Sequence, residues 1–197
     1  ELRDAAGHQY EEAAFANRHG YTTHNPVLPL FGPDDVEETL RLVDRRRYGA
    51  DFEPVPGLTV TLRSAGHILG SSIVELQLPG AQPLRLVDSG DLGRYDQPIL
   101  RDPEPVAQAD VLLLESTYGD REHSLDAEEQ LARIVREAVE RGGALLVPAF
   151  AVGRTQTLIW MLRRLQGEGR VPADLPVFID SPMANRVSGI YCRHGDD

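Results

Sequence analysis

Ser64-Ala65-Gly66-His67-Ile68-Leu69-Gly70-Ser71 separates two runs of alternating hydrophobicity. Before it, Leu58-Thr59-Val60-Thr61-Leu62 alternates as a half-buried strand does; after it, Ile73 to Leu78 alternates likewise, with Val74, Leu76 and Leu78 on one face. The string is therefore a strand-to-strand connection. Small residues on both sides of His67 leave room for a metal ion or a water close to the backbone. A lone histidine between strands is more often a hydrogen-bonded structural group than a ligand, so both readings stand at this point.

Downstream, the turn Pro79-Gly80-Ala81-Gln82 leads into a third short strand, Leu84 to Val87, and then into Ser89-Gly90-Asp91-Leu92-Gly93. A carboxylate at a strand end can bridge two cations through its two oxygens. An aspartate beside glycine also forms turns or caps a helix, and Asp88 competes with Asp91 for either task. Val111-Leu112-Leu113-Leu114 is continuously apolar, which predicts a strand buried on both faces. It ends in Glu115, within Glu115-Ser116-Thr117-Tyr118-Gly119-Asp120-Arg121. A carboxylate leaving such a strand faces either solvent or a site at the sheet edge. One imidazole and two carboxylates are the nitrogen and oxygen donors that zinc takes.

Beyond Tyr118 helices alternate with strands. Ser124 or Asp126 can cap a helix running to Arg141, with Leu131, Ile134, Val135 and Ala138 on one stripe. Ala144 to Val147 reads as a strand, Gly153 to Leu165 as a helix, Val177 to Ile179 as a strand, and Ser181-Pro182 opens a last helix. This order predicts a parallel sheet. The domain boundary is expected near residues 118–124. At the other end, Asp4 to about His19 is a polar helix. Pro33, followed by Asp34, Asp35, Glu37 and Glu38, starts a second, with Val36, Leu40 and Val43 expected to face inward and Arg45, Arg46 and Arg47 to complement its dipole.

Composition bounds the chemistry. The hydrophobic content of 41% is that of a globular chain, and no apolar run approaches the ~18 residues of a membrane span. The single cysteine, Cys192, excludes an internal disulfide framework and a thiolate-rich zinc site, and suits a reducing cytoplasm. A net charge of −11 excludes a general nucleic-acid-coating surface but not a local phosphate-gripping cleft. All 20 basic residues are arginine. Arginine suits phosphate, although an arginine-favouring coding bias explains the usage better. His8, His19 and His24 are expected to face solvent, and His123 to brace its loop.

Two further strings complete the pattern: Pro148-Ala149-Phe150-Ala151-Val152-Gly153-Arg154-Thr155-Gln156 and Asp180-Ser181-Pro182-Met183-Ala184. The first reads as strand end, tight turn and helix start, where backbone N–H groups can meet phosphate. With the strings around His67, Asp91 and Glu115, they make the chain resemble the β-CASP branch of the metallo-β-lactamase superfamily, zinc-dependent nucleases that cut RNA and, in some relatives, DNA. The match runs from about Ala6 to His194 and is most specific at residues 64–71, 89–94, 115–121, 148–156 and 180–184.

The resemblance implies an α/β fold: residues 1–120 as part of a metallo-β-lactamase αββα sandwich, residues 121–197 as the start of an inserted β-CASP domain with a parallel sheet. It implies a two-zinc phosphodiesterase acting on single-stranded RNA, with His67 as metal ligand and Asp91 as bridging ligand and catalytic group. Glu115 would be catalytic too, orienting a downstream histidine that protonates the leaving oxygen. Arg154 would contact the RNA backbone or, on an equal footing, form a salt bridge between domains. Asp180 is expected to be structural, and the 180–184 string to position a helix. The family's HxHxDH string and C-terminal histidine motifs are not among these residues, and the chain lacks an initiating methionine. The expectation is thus a fragment that alone binds zinc weakly and is inactive. A homodimer is open, and no membrane is implied. The competing readings are a non-catalytic relative scaffolding an RNA-processing complex, or a zinc hydrolase of small esters or thioesters.

Overall fold

A computed structural model describes residues 2–121 and 126–194. His123 and Ser124 lie outside the described residues. The chain divides into two compact units, Glu1–Arg46 and Arg47–Asp197.

The first unit is a pair of helices, α1 (Leu2–Arg18) and α2 (Pro33–Arg41). Pro33 fits the first turn of α2, and Asp35 caps it, its Oδ2 accepting the Gly32 N–H at 2.7 Å. Ala6 and Val36 are buried. The expected inward stripe on α2 stops there: Leu40 is partly exposed and Val43 lies past the helix end and largely in solvent. The helix is only nine residues long, too short to carry a stripe to residue 43. Arg41 occupies its last turn, so Arg45–Arg47 fall beyond the reach of its dipole.

The second unit begins with a mixed five-stranded sheet in the order β1 (Phe52–Val55), β2 (Leu58–Ser64), β3 (Ser72–Leu78), β4 (Leu84–Asp88), β5 (Val111–Leu113). The first three pairings are antiparallel and β4–β5 is parallel. Strand β1 was not anticipated. Val74, Leu76 and Leu78 do share a face of β3, but its buried positions are Ile73 and Glu75 on the other. Glu75, 8% exposed, is neutralised there by a close ion pair with Arg63 of β2, which also reaches Glu104. A buried carboxylate needs such a partner. A small core of Ala65, Ile73 and Val87, with Leu92 and Val106 packed on it, closes one end of this sheet.

Strand β5 differs from expectation. Leu112 is 54% exposed, and Val111, Leu113 and Leu114 are exposed as well. It is the sheet's edge strand, paired on one side only, so apolar continuity signalled a surface able to be covered rather than one already covered.

Three helices follow: α3 (Ala127–Glu140), α4 (Arg154–Gly167) and α5 (Pro182–Arg193). Asp126 precedes α3 but does not cap it; its carboxylate accepts from Gln130 Nε2 at 2.8 Å. Ala132 and Val135 of α3 pack with Leu165 of α4 and Val171, flanked by Leu131, Leu162 and Leu175. Ser181 caps α5, accepting the Ala184 N–H at 3.1 Å, as the 180–184 string predicts for a helix-positioning motif. The predicted strands at 144–147 and 177–179 are not formed, and with them the parallel sheet. Their apolar side chains stand in solvent, Leu146 at 87% and Phe178 at 88% exposure. A strand exists only against a neighbour, and neither segment has one among the described residues.

Candidate functional site

Strand directions bring the three chemistry-bearing strings to one edge of the sheet. β2 and β4 both run antiparallel to β3, and β5 runs parallel to β4. The C-terminal ends of β2, β4 and β5 therefore point the same way. From these ends leave, in turn, the His67 loop, the Asp91 loop and Glu115.

The first two loops touch backbone to backbone. Gly93 N–H donates to Ala65 O at 2.7 Å. A Cβ on Gly93 would collide with the Gly66 carbonyl, so the approach requires glycine at that position. Below this contact lies the Ala65–Ile73–Val87 core. Leu92 packs onto it, while Asp91, its neighbour, is exposed.

Glu115 joins the third string to the second. Its Oε1 accepts the Leu92 N–H at 3.3 Å and its Oε2 the Thr117 N–H at 2.9 Å. The Thr117 backbone N–H above all holds this carboxyl below its ordinary range. The Thr117 side chain, the Leu92 N–H and the charge of nearby His67 add to that, against some desolvation. The His67, Asp91 and Glu115 strings, spaced 24 residues apart in succession, thus leave the same edge of the sheet.

The side chains of His67 and Asp91 are exposed and make no hydrogen bond among the described residues. Asp88, the competitor, is engaged: its Oδ1 accepts the Gly90 N–H at 2.8 Å and shapes the turn that presents Asp91. In the His67 loop, Ser71 Oγ accepts from the His67 N–H at 3.0 Å and from the Ile68 N–H at 3.3 Å.

Sequence reasoning missed Ser89. Its hydroxyl, buried, accepts the Glu115 N–H at 3.0 Å and donates to Gly90 O at 2.8 Å, while its own N–H donates to Leu113 O at 2.9 Å. Glu104 was missed too; its Oε1 accepts the Ser64 N–H at 3.3 Å and its N–H returns to Ser64 O at 2.9 Å, strapping the start of the His67 loop. A small hydroxyl residue between an apolar strand and a glycine was the available signal for Ser89. None pointed to Glu104.

Arg154 opens α4 with an exposed side chain, and its guanidinium forms no ion pair among the described residues. Nothing given by the geometry joins it to His67, Asp91 or Glu115.

The free imidazole and free carboxylate on touching loops are the right donors for zinc, but two do not make a centre. A catalytic zinc takes ~3 protein ligands, and among the described residues no three His, Cys, Asp or Glu side chains come together to hold an ion. On their own these residues do not fit a complete metal site.

No protein-family model matches the chain. Curated relatives do. Ribonuclease TTHA0252 of Thermus thermophilus is 38% identical over 167 residues, 84% of this chain and 37% of that protein. Cleavage and polyadenylation specificity factor subunit 3 of Dictyostelium discoideum is 32% identical over 165 residues, 82% of this chain and 21% of that protein. Transcription termination factor FttA of Thermococcus kodakarensis is 32% identical over 165 residues, 79% of this chain and 24% of that protein. The chain spans well under half the length of each.

Proposed function

We propose, from the premise that the chain belongs to the β-CASP branch of the metallo-β-lactamase superfamily, that it is a segment of a metal-dependent hydrolase cleaving RNA phosphodiester bonds. The observation that carries the reading is the convergence of the His67, Asp91 and Glu115 strings at one sheet edge, with neither of the first two side chains hydrogen-bonded among the described residues. We assign residues 1–120 to part of the metallo-β-lactamase domain and 121–197 to the start of the β-CASP domain. The change from sheet to helices after residue 126 supports that division.

Zinc, two ions in the whole protein, would be held by His67 and by Asp91 as the bridging carboxylate, together with ligands from elsewhere in the full-length protein. When bound, such a pair would activate water near neutral pH and stabilise charge at the phosphate. This chain's own contribution is to present the imidazole and carboxylate on loops locked to each other. It also keeps Glu115 ionised beside them, where it supports proton delivery to the departing oxygen. Arg154, with no carboxylate partner among the described residues, is the RNA-backbone contact. The substrate is single-stranded RNA and the compartment a reducing cytoplasm, the single cysteine being free and exposed.

The test is cleavage of a labelled single-stranded RNA by the full-length gene product, with a matched DNA strand and a chelator control. RNA cleavage abolished by chelator and restored by zinc is expected. An RNA left intact, or cut equally with the metal stripped, overturns the reading. Size-exclusion chromatography of the same sample decides between monomer and homodimer.

A further inference from the structure

The loop bearing His67 is pressed at two successive residues by the helical part of the same unit. At Ile68 the neighbour is the turn before α4. A Cβ on Gly153 would stand 3.1 Å from Ile68 Cγ2, inside ordinary van der Waals contact, and Gly153 holds φ at +79°. At Leu69 the neighbour is Tyr191 of α5. Burial pushes the tyrosine pKa up, and the nearby Leu69 backbone offsets part of the rise, although the hydroxyl makes no hydrogen bond to it.

These two contact points are themselves joined. Gln156, 4% exposed, donates Nε2 to Ala151 O and to Ser188 Oγ, each at 3.0 Å, tying the turn before α4 to α5. Ser188 Oγ in turn donates to Ala184 O at 2.8 Å. Gln156 Oε1 and Tyr191 OH are also the buried side-chain polar atoms without a hydrogen-bond partner among the described residues. Such atoms are costly to leave unpaired.

We infer that Gly153, Gln156 and Tyr191 are positioning residues: they fix Ile68 and Leu69 and thereby the bearing of the His67 imidazole. The inference rests on the reading of His67 as a metal ligand. None of the three contacts the imidazole in the geometry above. They act through its two neighbours in sequence, so the helical segment serves the metal-binding loop as well as the RNA.

The test measures amide exchange by mass spectrometry in the full-length protein, following peptides over 64–71 and 127–140, alongside zinc content and RNA cleavage. Gly153→Ala is expected to speed exchange of 64–71 by about tenfold while 127–140 keeps its rate. It should also lower zinc content and kcat with KM for RNA little changed. Strain at a positive φ alone would do part of this, so a second variant separates the causes. Adding Ile68→Leu, which removes the β-methyl and keeps the volume, is expected to return exchange, zinc and kcat most of the way. Tyr191→Ala, which removes the ring, should speed exchange at 64–71 in the same sense. Unchanged exchange in Gly153→Ala and Tyr191→Ala, no rescue by Ile68→Leu, or faster exchange with zinc and kcat untouched would each overturn the inference. A wild-type protein without zinc or cleavage would instead sink the nuclease reading, and the exchange data would still report on the clamp.

Discussion

Ser89 shows how much of a site can depend on a group that does no chemistry of its own. The Ser89 hydroxyl satisfies the Glu115 N–H across 26 residues of sequence, and the Glu115 carboxylate satisfies Leu92 beside Asp91. Replacing Ser89 by Ala leaves a backbone donor unmet, and the expected loss is about 1–3 kcal/mol in urea unfolding. Glu115→Gln substitutes a donor for one acceptor oxygen, so one of the two N–H groups loses its partner. Cleavage by the full-length protein is expected to fall about 10- to 100-fold, as for other groups that hold a ligand in place. The strand ends before His67, Asp91 and Glu115 were legible because a distinctive string interrupts an apolar run at each. Ser89 was not, since its role depends on a segment distant in sequence that a local reading cannot pair with it.

Helices α3 and α4 are held by a small core and an outer lattice of charge. Leu165 is fully buried against Ala132, Val135 and Val171. Leu165→Ala is expected to cost about 2–5 kcal/mol, read as a lower denaturation midpoint. On the surface, Arg170 pairs with Glu129 at 2.6 Å and Glu168 at 3.2 Å, and Arg164 with Glu168 at 2.9 Å and Glu128 at 3.1 Å. The Arg170 hydrogen bond holds Glu129 below the ordinary carboxylate range, and Arg164 does the same for Glu168. A carboxyl whose folded pKa is depressed stabilises fully above its unfolded pKa and loses that contribution as pH falls through the lower, folded value. Helical circular dichroism should therefore melt at lower temperature as pH drops below the ordinary glutamate range. Salt should shrink the difference, because these pairs are exposed. Periodicity made β2, β3, β4 and all three later helices readable, each being a property of a short window. It failed at 144–147, 177–179 and the burial of β5, because a ladder and a covered face belong to two segments at once.

Among the described residues, exposed apolar side chains include those of β5, Leu145–Val147, Phe150 and Val177–Phe178. Relatives of this chain are far longer than it is, which spans 37% of the Thermus protein and 21% of the Dictyostelium one. An unpaired apolar edge invites association. The isolated 197-residue chain is expected to bind a hydrophobic dye more strongly, mole for mole, than the full-length protein, and to take up little zinc. Equal dye binding would contradict the view that these segments are covered by further chain.

On the proposed reading, His67 and Asp91 hold metal together while Asp88 only shapes the turn. The decisive measurement is zinc content and RNA cleavage in full-length wild type, His67→Ala, Asp91→Asn and Asp88→Asn. About two zinc ions are expected in wild type, with loss of most metal and of cleavage in the first two variants and retention of both in Asp88→Asn, whose amide oxygen can still accept from Gly90. Full metal and undiminished cleavage in Asp91→Asn would contradict it.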